Sequence, residues 1–291
     1  MPEIAEVALT AEILQKYLRN QSLTKITFGT GRYSKNAPDN YKQFKKALPM
    51  KIRKVDSHGK FLWFELKNSD GDNWYIWNTF GLNGMWKIID VDEKVKNRKH
   101  VSCVLTTKKY KAIFYDVIHY GTIKFSDSRE ELDKKIKKLG PDFLKDDDFD
   151  INKVTKYKIP IVKILMDQGK VGSGIGNYLV AEILYRAKIA PQRLGSSLSK
   201  SELKKLKHSI KYVVKLSYLD NETGYMVYLT DELAHLKKKN YHPEIKICDT
   251  CFEFQIYKRK TDPKGNPIEI AKIVKNGKSF RSTHWVPAVQ K

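Results

Sequence analysis

The sequence lacks the features that mark membrane proteins, secreted proteins and disulfide-rich proteins. No apolar run approaches the roughly 20 residues that a transmembrane helix needs, and no lipidation signal is present. No apolar leader segment follows the first methionine, so we expect the chain not to be secreted. Only three cysteines occur, Cys103, Cys248 and Cys251, which excludes a disulfide framework and fits a reducing compartment inside the cell.

Acidic residues are scarce relative to basic ones. The 291 residues include 33 Asp and Glu against 55 Lys and Arg, which gives a formal net charge of +22. Solubility does not need so large an excess, and it indicates a polyanionic partner. The lysines are spread from Lys16 to Lys291, which favours a folded basic surface over a basic tail. Nucleic acid is therefore the expected partner, and a location in the nucleus or cytoplasm, wherever DNA is, follows from it.

The order of apolar patterns predicts a β domain followed by a helical domain. Val7, Ala11, Leu14 and Leu18 recur at helical spacing and predict a first helix. From there to about residue 130, β-branched and aromatic segments broken by Gly, Asn and Asp predict a β-sandwich or barrel. Residues 131–150 are charged and rich in turn formers, which is typical of a linker. Three helical patterns fill 151–251, and 252–291 returns to strands and turns.

A glycine-rich turn, "GKVGSGIGN", precedes the second of these helical patterns. Backbone N–H groups in such turns hold phosphates, but a dinucleotide site or P-loop needs a preceding strand, and "IVKILMDQ" is a helical pattern. A clamp on a nucleic-acid backbone fits better, with Asn177 at the helix start. A purely structural glycine turn is the alternative.

The stretch "DQGKVGSGIGNYLVAEILYRAKIAP" resembles the helix–two-turn–helix of the formamidopyrimidine-DNA glycosylase/endonuclease VIII family. "PEIAEV" at the start and "GKFLWFEL" in the β domain extend the resemblance over the chain in the same order. It implies an α+β multidomain fold: an N-terminal β-sandwich with an N-terminal helix over 1–130, a helix–two-turn–helix domain over 151–251, and a β-hairpin finger over 252–291. It also implies a bifunctional DNA glycosylase/AP lyase of base excision repair.

The resemblance assigns catalytic roles near the chain start. Once the methionine is removed, Pro2 corresponds to the family's nucleophile, which forms an iminium at C1′ of the damaged nucleotide before β,δ-elimination. Glu3 corresponds to the general acid/base, Glu6 to a further carboxylate near the site, and Lys60 to a lysine that grips a phosphate. Ala5 departs from the family's usual proline. Because Pro2 and Glu3 sit at a chain end, we expect their substitution to spare the fold.

Two loops of the β domain correspond to the family's void-filling residues. Leu82 in "TFGLNGMWKI" aligns with the residue that fills the gap left by the flipped nucleotide, and it resembles the endonuclease VIII branch. A leucine in a plain hairpin turn is the alternative. The second loop, "DVIHYGT", offers Ile118 and Tyr120 and lacks the family's usual arginine.

The remaining DNA contacts implied by the resemblance lie in the second half of the chain. Gly174, Gly176 and Asn177 belong to the helix–two-turn–helix, and Arg281 matches the finger arginine that holds the phosphate beside the flipped nucleotide. Damaged double-stranded DNA is the expected partner, with single-stranded DNA as a second candidate, and a monomer is expected.

The tail departs from the family at its zinc ligands. Aligned with the finger, the four ligand positions carry apolar side chains, none of which binds zinc: Ile268, Ala271, Val286 and Val289. The result resembles a zincless finger, so we expect no zinc and no other cofactor. Cys248 and Cys251 form a CxxC without a second pair and are interpreted as core thiols.

Rival interpretations from other classes stay open at this point. One is a catalytically silent DNA-binding protein that keeps the clamp, and another is a basic architectural or single-strand binder. A silent clamp has no need of Pro2 and Glu3, which favours the enzyme. Within the enzyme interpretation, the Leu82 loop favours oxidised pyrimidines, ring-opened purines or hydantoins as substrates.

Overall fold

A computed structural model describes residues 1–221, 224–249, 251–275 and 278–291, and it leaves the side chains of 273–275 and 278–281 undescribed. The chain forms two compact units. The first contains Met1–Pro2, Glu6–Lys138 and Gly224–Lys238, and the second contains Glu3–Ala5, Leu139–Thr223 and Lys239–Lys291. The predicted α+β architecture is confirmed.

The first unit combines a long N-terminal helix with eight antiparallel strands. Helix α1 spans Ile4–Leu18. The strands are β1 (Ser22–Phe28), β2 (Met50–His58), β3 (Phe61–Lys67), β4 (Asn73–Thr79), β5 (Met85–Asp90), β6 (Val101–Thr107), β7 (Tyr110–Tyr115) and β8 (Thr122–Ser126). The short α2 (Tyr41–Lys46) follows β1, and α3 (Arg129–Lys137) follows β8.

The eight strands form one hydrogen-bonded series that folds back on itself. Their order is β5-β7-β6-β1-β2-β3-β4-β8, so β5 and β4 lie far apart along the sheet. Nevertheless, Trp86 on β5 donates its indole N–H to Asn78 Oδ1 on β4 at 3.1 Å, and its ring centroid lies 5.6 Å from that of Phe64 on β3. The two halves therefore face each other across a shared aromatic core, which is the predicted sandwich.

Helix α1 is more deeply buried than its apolar spacing predicts. Every residue from Pro2 to Ala11 is buried, including the polar Glu6 and Thr10. The Thr10 hydroxyl donates to the Glu6 carbonyl at 2.7 Å, which satisfies one of these buried polar groups locally. A chain start enclosed on all sides is not the frayed end that chain position alone suggests.

The second unit is helical and ends in a two-stranded hairpin. Its helices are α4 (Ile161–Met166), α5 (Asn177–Ala187) and α6 (Lys200–Leu219), and its strands are β9 (Glu269–Lys275) and β10 (Lys278–Trp285). Between α6 and β9, the segment Gly224–Lys238 belongs to the first unit and contains the short α7 (Thr230–Ala234). Helix α6 begins with a capping box between Ser199 and Glu202. Among the described residues, no helix has the length and apolarity to cross a bilayer.

Two segments differ in detail from the sequence-based expectation. The pattern at 151–168 is one helix in the prediction, but Pro160 separates a 3-10 helix, Ile151–Lys156, from α4 because proline lacks the N–H that a continuous helix needs. The segment 131–150, interpreted as a linker, contains most of α3 and the fully buried Phe143 and Phe149.

The prediction for the CxxC cysteines is wrong. Cys248 is exposed and Cys251 is half-buried, whereas Cys103 on β6 is fully buried. The apolar contacts near the CxxC are made by Phe252, which is buried, so the core is filled by its ring and the thiols face outward. Burial raises the pKa of the Cys103 thiol.

The three thiols are therefore expected to react at very different rates. In the native protein, an aromatic disulfide reagent should titrate Cys248 and Cys251 and leave Cys103 unmodified, because its thiolate is suppressed and enclosed. The measurement is the number of thiols released before and after denaturation, with Cys103→Ser as the matched control that keeps the native count. Release of all three thiols at one rate in the folded protein would contradict this placement.

Candidate active site

The carboxylate of Glu3 is fixed at the N-terminus of helix α5. Glu3 is fully buried, and it accepts backbone N–H groups of Gly176 at 2.5 Å, Tyr178 at 2.9 Å and Leu179 at 3.3 Å. These are N–H groups of the first turn, which have no partner inside the helix and carry the positive end of its dipole. Glu3 thus caps α5 from a distant part of the sequence.

Glycines in the turn before α5 make room for this contact. A Cβ on Gly176 would lie 2.4 Å from Glu3 Oε1, and one on Gly174 would lie 2.4 Å from Ile4 Cδ1. Gly174 also has a φ of +113°, a conformation that favours glycine. The Ile4 N–H donates to the Gly174 carbonyl at 3.1 Å. Close approach of the chain start therefore explains these two glycines.

The side chain of Gln168 fixes the shape of the same turn. Its Oε1 accepts the Gly174 N–H at 2.7 Å, and its Nε2 donates to the carbonyls of Met166 at 2.8 Å and Ile175 at 3.1 Å. One amide side chain thus ties both ends of the turn together, which the sequence analysis did not find.

This geometry corrects the interpretation of the turn as a set of amides for a phosphate. The amides of Gly176, Tyr178 and Leu179 are already bound to Glu3. What remains beside them is Asn177, the first residue of α5, which is half-buried. Its Oδ1 has no hydrogen-bond partner among the described residues.

Pro2 directly precedes Glu3 in the chain, and both residues are buried. The fixed carboxylate therefore restricts the neighbouring proline as well. That substitutions here spare the fold stays a prediction; for Glu3, a variant without an acceptor oxygen would leave three amides without this partner, at about 1–3 kcal/mol for each unsatisfied group. Glu6, one turn further along α1, is also buried.

Lys60 lies in the tight turn between β2 and β3. His58 pairs with Phe61, so Gly59 and Lys60 form a two-residue turn, with Gly59 at a φ of +56°. The Lys60 side chain is half-buried.

The two loops predicted to fill a void lie together in the first unit. A Cβ on Gly81 would meet Gly121 N at 2.7 Å and Tyr120 Cβ at 3.0 Å, so the Leu82 loop packs on the Tyr120 loop. Leu82 is 38% exposed and Tyr120 61% exposed. Strand β4 pairs with β3 and β8 and not with β5, so the loop that carries Leu82 joins two strands that are not paired, and the hairpin-turn alternative is wrong.

A buried carboxylate shapes the second of these loops. Asp116 is fully buried and accepts the N–H groups of Gly121 at 2.5 Å and Ile118 at 3.3 Å. His119 turns away, with Nδ1 3.4 Å from Ser102 Oγ. Ile118 and Tyr120 are left exposed on the outer side of the loop, beside Leu82.

Comparison with known sequences identifies the family. Models of the formamidopyrimidine-DNA glycosylase N-terminal domain, H2TH domain and C-terminal domain match residues 1–123, 139–226 and 243–291. A formamidopyrimidine-DNA glycosylase of Prochlorococcus marinus is 31% identical over 316 residues, covering 100% of both chains. The chain belongs to the formamidopyrimidine-DNA glycosylase family. A second relative with the same name, from Listeria monocytogenes, is 28% identical over 301 residues, again covering 100% of both chains.

Solved structures share the fold of this glycosylase-family chain. The complex of Lactococcus lactis Fpg with DNA containing an abasic site matches with a TM-score of 0.78 and 24% identity, covering 99% of each chain. The complex of the same protein with DNA containing FAPY-dG matches with a TM-score of 0.77 and 23% identity, covering 99% of this chain and 100% of that one.

A second buried glutamate of this family member, Glu182 on α5, was not expected from the sequence. Glu182 is buried, and its carboxylate accepts the N–H groups of Gln255 at 3.0 Å, Ile256 at 3.1 Å and Tyr257 at 2.9 Å. Burial raises its pKa, against the opposing effect of these hydrogen bonds. Burial also raises the pKa of Tyr257, with the Glu3 carboxylate as a second cause. In the sequence, Glu182 stands out only as one polar residue within the apolar pattern of α5.

The apolar residues at the expected zinc-ligand positions are brought together in the second unit. Val286 is fully buried in a cluster with Ile256 and Ala181, and Ile268 and Val289 pack against it. Ala271 is buried separately on β9. Arg281 lies on β10 opposite Ile273, and its side chain lies outside the described residues.

The close approach of Ile4 to Gly174 can be tested against a matched glycine. Gly174→Ala and Gly265→Ala both force alanine to a positive φ, +113° and +84°, but a Cβ at Gly265 meets nothing within 4 Å. The backbone strain is about 1–3 kcal/mol in each variant. We expect Gly174→Ala to lose about 1–3 kcal/mol more in the free energy of unfolding, measured in urea, because of overpacking. Equal losses would contradict the packing of the chain start on this turn.

Proposed function

We propose that the protein is a bifunctional DNA glycosylase/AP lyase of base excision repair. The observation that carries the proposal is the buried Glu3 carboxylate, which caps α5 and directly follows Pro2 in the chain. A DNA-binding protein without chemistry has no need for a buried acid beside a secondary amine. The names of the relatives support the same activity. Such an enzyme acts where the cell's DNA is.

In the proposed reaction, removal of Met1 leaves Pro2 as a secondary amine. Its nitrogen attacks C1′ of the damaged nucleotide, the bond from C1′ to the base breaks, and the departing base takes up a proton. Opening of the sugar ring gives a cationic iminium between the proline nitrogen and C1′. This electron sink permits loss of a C2′ proton and of the 3′ phosphate, and then loss of a C4′ proton and of the 5′ phosphate. Water releases Pro2 at the end.

Glu3 is proposed as the general acid/base of these steps, protonating the ring oxygen of the sugar. Its hydrogen bonds from α5 support a fixed position relative to Pro2. Glu6, buried one turn along α1, is proposed as a supporting carboxylate.

The phosphate and base contacts are proposed from several elements. Lys60, Asn177 and Arg281 would hold phosphates near the flipped nucleotide. Leu82 and Tyr120 would fill the space it leaves, a role that their exposure on adjoining loops supports. Abasic and lesion-containing duplexes in the complexes of Lactococcus lactis Fpg support damaged duplex DNA as the partner.

The substrates are proposed to be oxidised pyrimidines, ring-opened purines or hydantoins, in keeping with an endonuclease VIII-like branch. Leu82 and the lack of an arginine at Ile118 support this choice. The relatives carry the name formamidopyrimidine-DNA glycosylase, so ring-opened purines are the substrates that their names support.

The hairpin is proposed to be held by burial without zinc. Val286, Ile268 and Val289 lie in one apolar cluster with Ile256, and none of these side chains can ligate a metal ion. Apolar contact then replaces coordination as the force that fixes the hairpin.

The proline mechanism predicts that an N-terminal extension abolishes covalent chemistry. Borohydride reduction on an abasic duplex should trap a stable protein–DNA adduct with the processed protein and none with an N-terminally tagged one, because an acylated nitrogen cannot form an iminium. A C-terminally tagged protein is the matched control and should be trapped at full yield, and gel shifts should show equal DNA affinity for all three. Equal trapping of the N-terminally tagged protein would contradict the mechanism. Binding without trapping by the processed protein would indicate a silent DNA-binding protein.

The zinc-free hairpin predicts a sharp contrast between two aspartate substitutions. Val286→Asp buries an unpaired carboxylate and should lower the free energy of unfolding by about 2 kcal/mol or more, whereas Ile270→Asp, at a 60% exposed position of the same hairpin, should have little effect. Chelators should leave the trapping yield unchanged. Loss of trapping on chelation, restored by zinc in the wild type and equally in a protein with Asp147→Asn and Glu244→Gln, would contradict a hairpin held by burial.

A further inference from the structure

A buried histidine in the second unit has one ring nitrogen without a hydrogen-bond partner. His242 is fully buried, and its Nε2 lies 2.8 Å from the carbonyl oxygen of Phe143. Since a carbonyl only accepts, Nε2 carries the proton and donates it. In the neutral ring, Nδ1 then has a lone pair, and among the described residues it has no hydrogen-bond partner.

Two carboxylates lie close to that nitrogen. Asp147 Oδ1 lies 2.8 Å from Nδ1, and one oxygen each of Asp147 and Glu244 lies with Nδ1 in a group whose atoms are all within 4.8 Å of one another. The contact with Asp147 is short but outside hydrogen-bond geometry. Electron-rich atoms this close repel one another unless a cation offsets the repulsion, and Lys211 supplies a positive charge beside Glu244.

A metal ion fits this arrangement better than a proton does. A proton on Nδ1 lies in the ring plane and would not point at Asp147. A metal ion on the Nδ1 lone pair lies farther from the ring than a proton does, so it can bind Asp147 at an angle to the bond between Nδ1 and the ion. Two ligands at right angles around an ion about 2.1 Å from each stand about 3.0 Å apart, close to the distance between Nδ1 and Asp147. A ligating histidine also commonly donates its other N–H to a backbone carbonyl, as His242 does to Phe143.

The loop that carries His242 is held in place by a buried lysine. Lys215 Nζ donates to the carbonyls of His242 and Ile245 and to Asn240 Oδ1, each at 3.0 Å. His242 has a φ of 49°, which is uncommon for a residue with a side chain. These three bonds fix the backbone that presents Nδ1, so the ligand is preorganised.

A second lysine limits how tightly an ion is held. Lys211 Nζ lies 2.6 Å from Glu244 Oε1 and competes for that carboxylate. Asp147 and Glu244 are 60% and 48% exposed, which leaves the site open to water. An ion bound there exchanges with solvent. None of the three ligands belongs to the hairpin of β9 and β10, so ion binding at this site is separate from the question of zinc in the hairpin.

We propose that Asp147, His242 Nδ1 and Glu244 form an exchangeable site for a divalent first-row metal ion that clips the loop 240–245 to the segment 142–150. Imidazole with two carboxylates suits Mn²⁺, Co²⁺ or Zn²⁺. The site is distinct from the proposed catalytic residues and is a structural clip.

The test uses Mn²⁺ and the full-length protein after treatment with a chelator. We expect one saturable site by calorimetry, a rise in Tm on binding, and coupling of the bound Mn²⁺ to one imidazole nitrogen in pulsed EPR. Asp147→Asn and Glu244→Gln alter exposed ligands, so both proteins should fold, and each should weaken binding about tenfold or more. Lys211→Gln should strengthen binding, since it frees Glu244.

Asp148→Asn is the matched control, because Asp148 is the exposed neighbour of Asp147 and not a ligand, and it should leave binding unchanged. Cys248→Ser with Cys251→Ser should also leave it unchanged. The proposal is overturned if Mn²⁺ shows no saturable binding, if bound Mn²⁺ lacks nitrogen coupling, or if binding survives both ligand substitutions.

Discussion

The hydrogen bonds from the first turn of α5 to the Glu3 carboxylate are the constraint on which the proposed active site depends. A buried carboxylate is stable only if its charge is met by donors, and the amides of Gly176, Tyr178 and Leu179 meet it here at the positive end of a helix. The same bonds fix the start of the chain. A nucleophile at a chain terminus reacts efficiently only if that terminus is held still. The hydrogen bonds that cap α5 therefore also support the proposed chemistry of Pro2.

Helix α5 organises a second part of the unit in the same way. Glu182 receives the amides of 255–257, and the adjoining Ile256 packs in the apolar cluster that contains Val286. Helix α5 therefore takes part in two buried glutamate contacts: amides at its N-terminus donate to Glu3 of the chain start, and its own Glu182 accepts amides of the segment before the hairpin. Tyr257, whose amide Glu182 holds, experiences the charge of Glu3.

Much of the fold and part of the candidate site were predictable from the sequence, because local apolar patterns and specific motifs indicate them directly. The first helix, the β-sandwich and the glycine turn before Asn177 were all predicted. The occupant of the turn was not, since nothing local indicates that Glu3 lies 173 residues away in sequence at hydrogen-bond distance from Gly176. The exposure of Cys248 was also missed, because a CxxC has no periodicity that reports its burial. The position of Leu82 between two strands that are not paired with each other depends on strand order, which apolar alternation does not specify.

The central claim is that the amine held beside the capped carboxylate is the nucleophile. The most direct measurement is the mass of the N-terminal peptide after borohydride reduction on abasic DNA, followed by nuclease and protease digestion. The account predicts that the sugar remnant is attached to the nitrogen of Pro2, with Met1 absent from the modified peptide. Attachment to a lysine, such as Lys60, with an unmodified Pro2, would contradict it.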